Sequence, residues 1–169
     1  METQHQDQFT LEAVGVALRK RLASLPAGSA ELTREIGDDG IEYWVVSPAN
    51  PEAARVVVYV EPDGHRAYVG LGHRIDLEVD SPAREGSTAP LDELMEYCDA
   101  AIEGRVEETV WRHGDSIWRS RGRIDLRTRV LKPTTIEGFS LGRLRRGTRE
   151  HYGYAPYAAG GPDGRGETG

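Results

Sequence analysis

Five arginines at odd positions, Arg119, Arg121, Arg123, Arg127 and Arg129, are the first chemistry the sequence offers. Successive side chains of a β-strand point to opposite faces, so in an uninterrupted strand these guanidiniums form a ladder on one face. Trp118, Ile124, Leu126 and Val130 then take the other face. A guanidinium presents paired N–H donors to carboxylate and phosphate alike. The ladder is therefore either a docking surface for an acidic protein or a nucleic acid, or it is satisfied internally by acids such as Glu107, Glu108, Asp76 and Glu78. A second cluster interleaves Arg143, Arg145, Arg146 and Arg149 with Tyr152, Tyr154 and Tyr157, a mixture able to neutralise phosphate and stack on bases.

The charges are segregated. From Arg112 to Arg149 there are eleven Lys or Arg against Asp115, Asp125 and Glu137, a balance of +8, and because the 169-residue chain is −7 the remainder carries −15. Salt screens charge over ~8 Å, so a partner meeting one face feels that face and not the average. The acidic remainder disfavours a long polyanion, which makes nucleic acid the second expectation behind a protein partner.

Catalysis finds little footing. His5, His65, His73, His113 and His151 are scattered without the spacing of a metal cage, and no nucleophile, base and orienting acid fall into a recognisable pattern. His65 and His73 flank one strand-like run near Asp76, which leaves a hydrolase or metal-dependent enzyme as a third reading. Gly70-Leu71-Gly72 joins two strand-like runs and so marks a bulge or bend, not a phosphate cradle. No catalytic residue, metal ligand or cofactor is assigned. The lone Cys98 falls on an apolar helical stripe, where packing accounts for it.

The elements that must position these residues follow from periodicity. Thr10 caps a helix over 10–24, with Phe9 and Val14 as a hydrophobic staple and Leu11, Val14, Leu18 and Leu22 as its stripe. Period-two alternation from Ser29 to Asp80 predicts hairpins, with Val56-Val57-Val58-Tyr59-Val60 as a central strand. Pro90 opens a helix over 90–104 whose stripe is Leu91, Leu94, Met95, Cys98 and Ile102. Alternation resumes at Val106, turns at His113-Gly114-Asp115 and returns from Ile117 to Leu131, in one strand or in two joined near Gly122. The fold class is α+β: a twisted antiparallel sheet of about six to eight strands with two packed helices. Residues 1–8 read as a polar tail, 9–150 as one domain and 151–169 as a disordered Gly-rich tail. No apolar run spans a membrane and no secretory signal precedes the domain, so the protein is expected in the cytoplasm. Nineteen Arg against two Lys, with abundant Ala and Gly, fit a GC-rich bacterial genome.

The opposite face of helix 90–104 carries Asp92, Glu93, Glu96, Asp99 and Glu103 with no compensating base, a negative ridge suited to capturing a basic partner by electrostatic steering. Size, acidity, the succession of helix and strands, and the aromatic hairpin Val110-Trp111-Arg112-His113 to Trp118-Arg119 make residues 11–131 resemble the immunity proteins of bacterial polymorphic toxin systems. That resemblance implies a non-catalytic, protein-binding domain that inhibits its partner by covering it. Candidate contacts are the five acids of the helix together with Trp111, Arg119, Arg121 and Arg123.

Overall fold

The structure, a computed structural model, describes residues 9–81, 89–136 and 147–158. Helix α1 (Leu11–Leu22) starts where Thr10 Oγ1 accepts a hydrogen bond from Ala13 N at 3.1 Å. Phe9 and Val14 bury beside it as the staple requires. Five strands follow as a meander: β1 (Ala30–Ile36), β2 (Glu42–Pro48), β3 (Val56–Val60), β4 (Arg66–Leu71) and β5 (Ile75–Asp80), each antiparallel to the next. Helix α2 (Pro90–Ile102) then leads to β6 (Val106–His113), β7 (Ser116–Asp125), β8 (Val130–Leu131), β9 (Thr134–Ile136) and β10 (Thr148–Gly153). These five make a second antiparallel sheet in which β6 lies between β10 and β7, and β7 also pairs with β8 and β9.

The α+β class with two packed helices is as the sequence predicts, and the ten described strands are divided between two sheets. Both sheets feed one buried cluster: Val14 and Leu18 of α1, Val56, Val58, Val69 and Ile75 of the first sheet, Leu94 and Cys98 of α2, and Val106 and Ile124 of the second sheet. Trp44 closes the helix side by donating its Nε1–H to Leu11 O at 2.7 Å. Gly15 permits this approach, since a Cβ there would lie 2.5 Å from the indole.

A single carboxylate ties the sheets together. Glu108 of β6 is fully buried and accepts from His73 N at 2.9 Å and Arg74 N at 2.8 Å in the β4–β5 turn, from Ser120 Oγ at 2.8 Å and from Tyr154 Oη at 2.7 Å. None of these donors is a cation. A buried polar group is tolerable only when its lone pairs are satisfied, and here four neutral donors do so.

Two expectations are corrected. Strand β7 runs unbroken through Gly122, and the register irregularity lies at Trp111/Arg112 on its partner. Gly122 instead admits Ile75 from β5, whose Cδ1 would stand 2.8 Å from a Cβ at that position. Residues 151–158, expected in the tail, are ordered parts of the domain. Residues 148–153 are strand β10, and Tyr157 is buried with its hydroxyl on Ala54 O at 2.6 Å and its N–H on Ile102 O at 2.9 Å. One large aromatic with two satisfied polar groups outweighs the Gly- and Pro-rich composition around it. Arg143, Arg145, Arg146 and the termini 1–8 and 159–169 lie outside the described residues.

Candidate functional site

Three rungs of the predicted ladder share a face. On β7, Trp118, Ser120, Gly122 and Ile124 are buried while Arg121 and Arg123 are exposed and Arg119 is half-buried, so the arginines line the outer face of the second sheet. Register supplies their neighbours. Trp111 lies between Arg119 on one side and Arg149 of β10 on the other, Thr109 between Arg121 and His151, and Glu107 between Arg123 and Gly153. Ile136 and Thr134 of β9 extend the rows beyond Arg119 and Arg121.

The centre of this face is a guanidinium–indole–guanidinium arrangement. Arg119 Cζ is 4.6 Å and Arg149 Cζ 5.6 Å from the Trp111 ring, both within the range of cation–π attraction. Among the described residues neither arginine has an ion pair, nor has Arg121, and Arg119 Nε is buried without a hydrogen-bond partner. Arg123 is taken by Asp125 at 3.2 Å. His151 Nδ1 lies 3.1 Å from Thr109 Oγ1.

The other two rungs leave the ladder. Strand β7 ends at Asp125, and parity no longer fixes direction in the turn that follows, so Arg127 and Arg129 reach back to α2. Arg129 pairs with Glu93 at 2.8 Å and Arg127 with Glu103 at 3.5 Å. Arg105 also holds Glu103 at 2.7 Å, and Arg21 of α1 holds Asp99 at 3.1 Å. The ridge predicted to lack compensating bases therefore has them, supplied from α1, from the residue before β6 and from the segment after β7. Burial raises the Asp99 pKa, with Arg21 opposing the shift. Only Asp92 and Glu96 of the five acids have no ion pair among the described residues. The structure thus brings Trp111, Arg119, Arg121 and Arg123 together and leaves Asp92, Glu93, Glu96 and Asp99 on a separate helix, with Glu103 as its C-cap.

The histidines that the sequence singled out lie apart from one another. His73 packs its ring on Tyr152 at 4.3 Å, His65 is exposed, and no group of three or more His, Cys, Asp or Glu could hold a metal ion. Cys98 is fully buried, and burial, helped by Asp99, pushes its thiol up to about 12. Sequence reasoning missed Arg149 as a member of the face. The signal was present in Thr148 to Gly153, where Arg149 and His151 alternate with Glu150 and Tyr152. Searches of protein-family models, curated proteins and solved structures find no match to this chain.

Proposed function

We propose that this chain is a non-catalytic protein-binding domain whose working surface is the outer face of the second sheet, and that it receives an acidic patch of a protein partner. The observation that carries this reading is Trp111 held between Arg119 and Arg149, two guanidiniums without an ion pair among the described residues. Tryptophan and arginine dominate interface energetics when they are desolvated together, and arginine offers carboxylates a bidentate geometry that lysine lacks. Inhibition by covering a partner, as the resemblance to immunity proteins implies, is the biological form proposed for this binding. Capture of a basic partner by α2 is weaker as a reading, because ion pairs already hold Glu93, Asp99 and Glu103.

Nucleic acid is the second reading, favoured by the same aromatic flanked by cations and opposed by the net charge of −7. Titration with a glutamate-rich peptide, in parallel with a single-stranded oligonucleotide of equal charge, separates the two. Saturable peptide binding at low salt, weakened at least about tenfold (~1.4 kcal/mol) by Arg119→Ala with Arg149→Ala, is expected. Tighter binding of the oligonucleotide, lost in the same variant, would transfer the surface to nucleic acid. Peptide binding untouched by the substitutions would remove the surface from the account.

A further inference from the structure

The outer face of the first sheet carries a hollow that the proposed protein interface does not use, and its origin is a glycine with no local reason to be one. Val57, Gly70 and Asp76 are cross-strand neighbours on β3, β4 and β5, and the next row is Tyr59, Tyr68 and Glu78. The residues alternating with them, among them Val56, Val58, Val69, Leu71 and Ile75, point into the core. Gly70 is thus an outward position in an inner strand. Its φ is not positive, both ladders pass through it in register, and a Cβ there would meet nothing nearer than Asp76 Oδ1 and Val57 Cβ at 3.7 Å. The bend or bulge predicted for this glycine is absent. Glycine inside a strand costs about 0.5 to 1 kcal/mol against alanine and commonly marks close approach of a ligand.

What surrounds the missing side chain has the composition of a small-molecule site. The hollow has a volume of about 410 Å³ and is lined by Val57 and Gly70, by the stacked rings of Tyr59 and Tyr68, and by Arg55 and Asp76. The β4–β5 turn, through His73 and Arg74, completes one end. That volume lies in the range of known ligand pockets. The turn is held in place because its two N–H groups donate to the buried Glu108 carboxylate, so this wall is preorganised. Arg55 is half-exposed and only loosely paired with Glu35 at 3.8 Å, and Asp76 has no ion pair among the described residues. A cation and a carboxylate therefore face a flat, apolar and aromatic floor.

We propose that this hollow binds a small planar organic anion that also bears a hydrogen-bond donor, the class of amino- or hydroxy-substituted aromatic carboxylates. The ring lies over Gly70 between Val57 and the tyrosines, its carboxylate meets Arg55, and its donor meets Asp76. The proposal is independent of the second-sheet reading, since the two sites share no residue.

The test is a titration of the full chain with 4-aminobenzoate, followed by amide NMR. Saturable shifts centred on Val57, Gly70 and Asp76 are expected, with aniline, which lacks the anion, and benzoate, which lacks the donor, each binding at least about fivefold more weakly. Arg55→Gln should weaken 4-aminobenzoate about tenfold. Gly70→Val, which fills the hollow with a strand-favouring side chain, should abolish the shifts at an unchanged or raised melting temperature. Neither variant should alter acidic-peptide binding to the second sheet. No saturable shift, full binding by Gly70→Val, or aniline binding as tightly as 4-aminobenzoate would overturn the proposal. Should Gly70→Val not fold, undiminished binding by Arg55→Gln would overturn it alone.

Discussion

Glu108 is the residue on which the joining of the two sheets depends most. Its carboxylate faces two backbone N–H groups and two hydroxyls, all neutral, so replacing it strands several donors at once. Glu108→Ala should cost roughly 2 to 4 kcal/mol in urea denaturation, the scale of leaving buried donors unsatisfied. A loss below ~0.5 kcal/mol would mean that water takes over the contacts. Cys98 gives the opposite kind of expectation. The thiolate is the reactive species, and burial holds this thiol up to about 12, so iodoacetamide should leave Cys98 unmodified in the native protein at neutral pH and label it once the chain unfolds. Native-state labelling at the unfolded rate would show the helix stripe open to solvent.

At the scale of elements, the amphipathic stripes and the meander were legible because burial on one face imposes its period on the sequence. Helix α2 buries Leu94, Met95, Cys98 and Ile102 as the 3.6-residue period requires. Leu94→Ala should therefore cost roughly 2 to 5 kcal/mol, and a change under ~0.5 kcal/mol in chemical denaturation would contradict the packing. The hairpin pairings were legible from their turns, but the division of the strands between two sheets was not. A period of two reports which residues share a face and is silent about which strands lie side by side, so two five-stranded sheets and one larger sheet read alike. Arg127 and Arg129 failed for a related reason: their odd parity continues past Asp125, where the strand that gave parity its meaning has ended. Tyr157 was hidden differently, as one aromatic with no periodic company, held by its hydrogen bonds to Ala54 and Ile102. Tyr157→Ala should cost about 3 to 5 kcal/mol, as large buried aromatics do, and an unchanged melting temperature would detach residues 154–158 from the core.

The whole molecule segregates its charge by pairing one part and leaving another open. Arginines from three segments neutralise most of α2, while Arg119, Arg121 and Arg149 on the second sheet have no carboxylate among the described residues. Two buried tyrosines and one partly buried set a global pH limit. Burial is the largest cause holding the hydroxyls of Tyr97, Tyr154 and Tyr157 neutral above their ordinary range. Because the unfolded chain releases these protons first, near pH ~10, their stabilisation is present in full below that pH and is lost as pH rises beyond it. The urea midpoint should be level up to about pH 9 and fall above about pH 10, whereas a level midpoint throughout would place these hydroxyls in water. The central claim, that the second sheet's outer face is where a partner docks, is tested most directly by placing a photocrosslinking p-benzoylphenylalanine at Ile136, exposed beside Arg119, and separately at Glu96 on α2. The account predicts an acidic protein crosslinked from position 136 and absent from position 96, with the crosslink eliminated by Arg119→Ala and Arg149→Ala together. A crosslink from position 96 alone, or one from position 136 indifferent to the loss of both arginines, would contradict it.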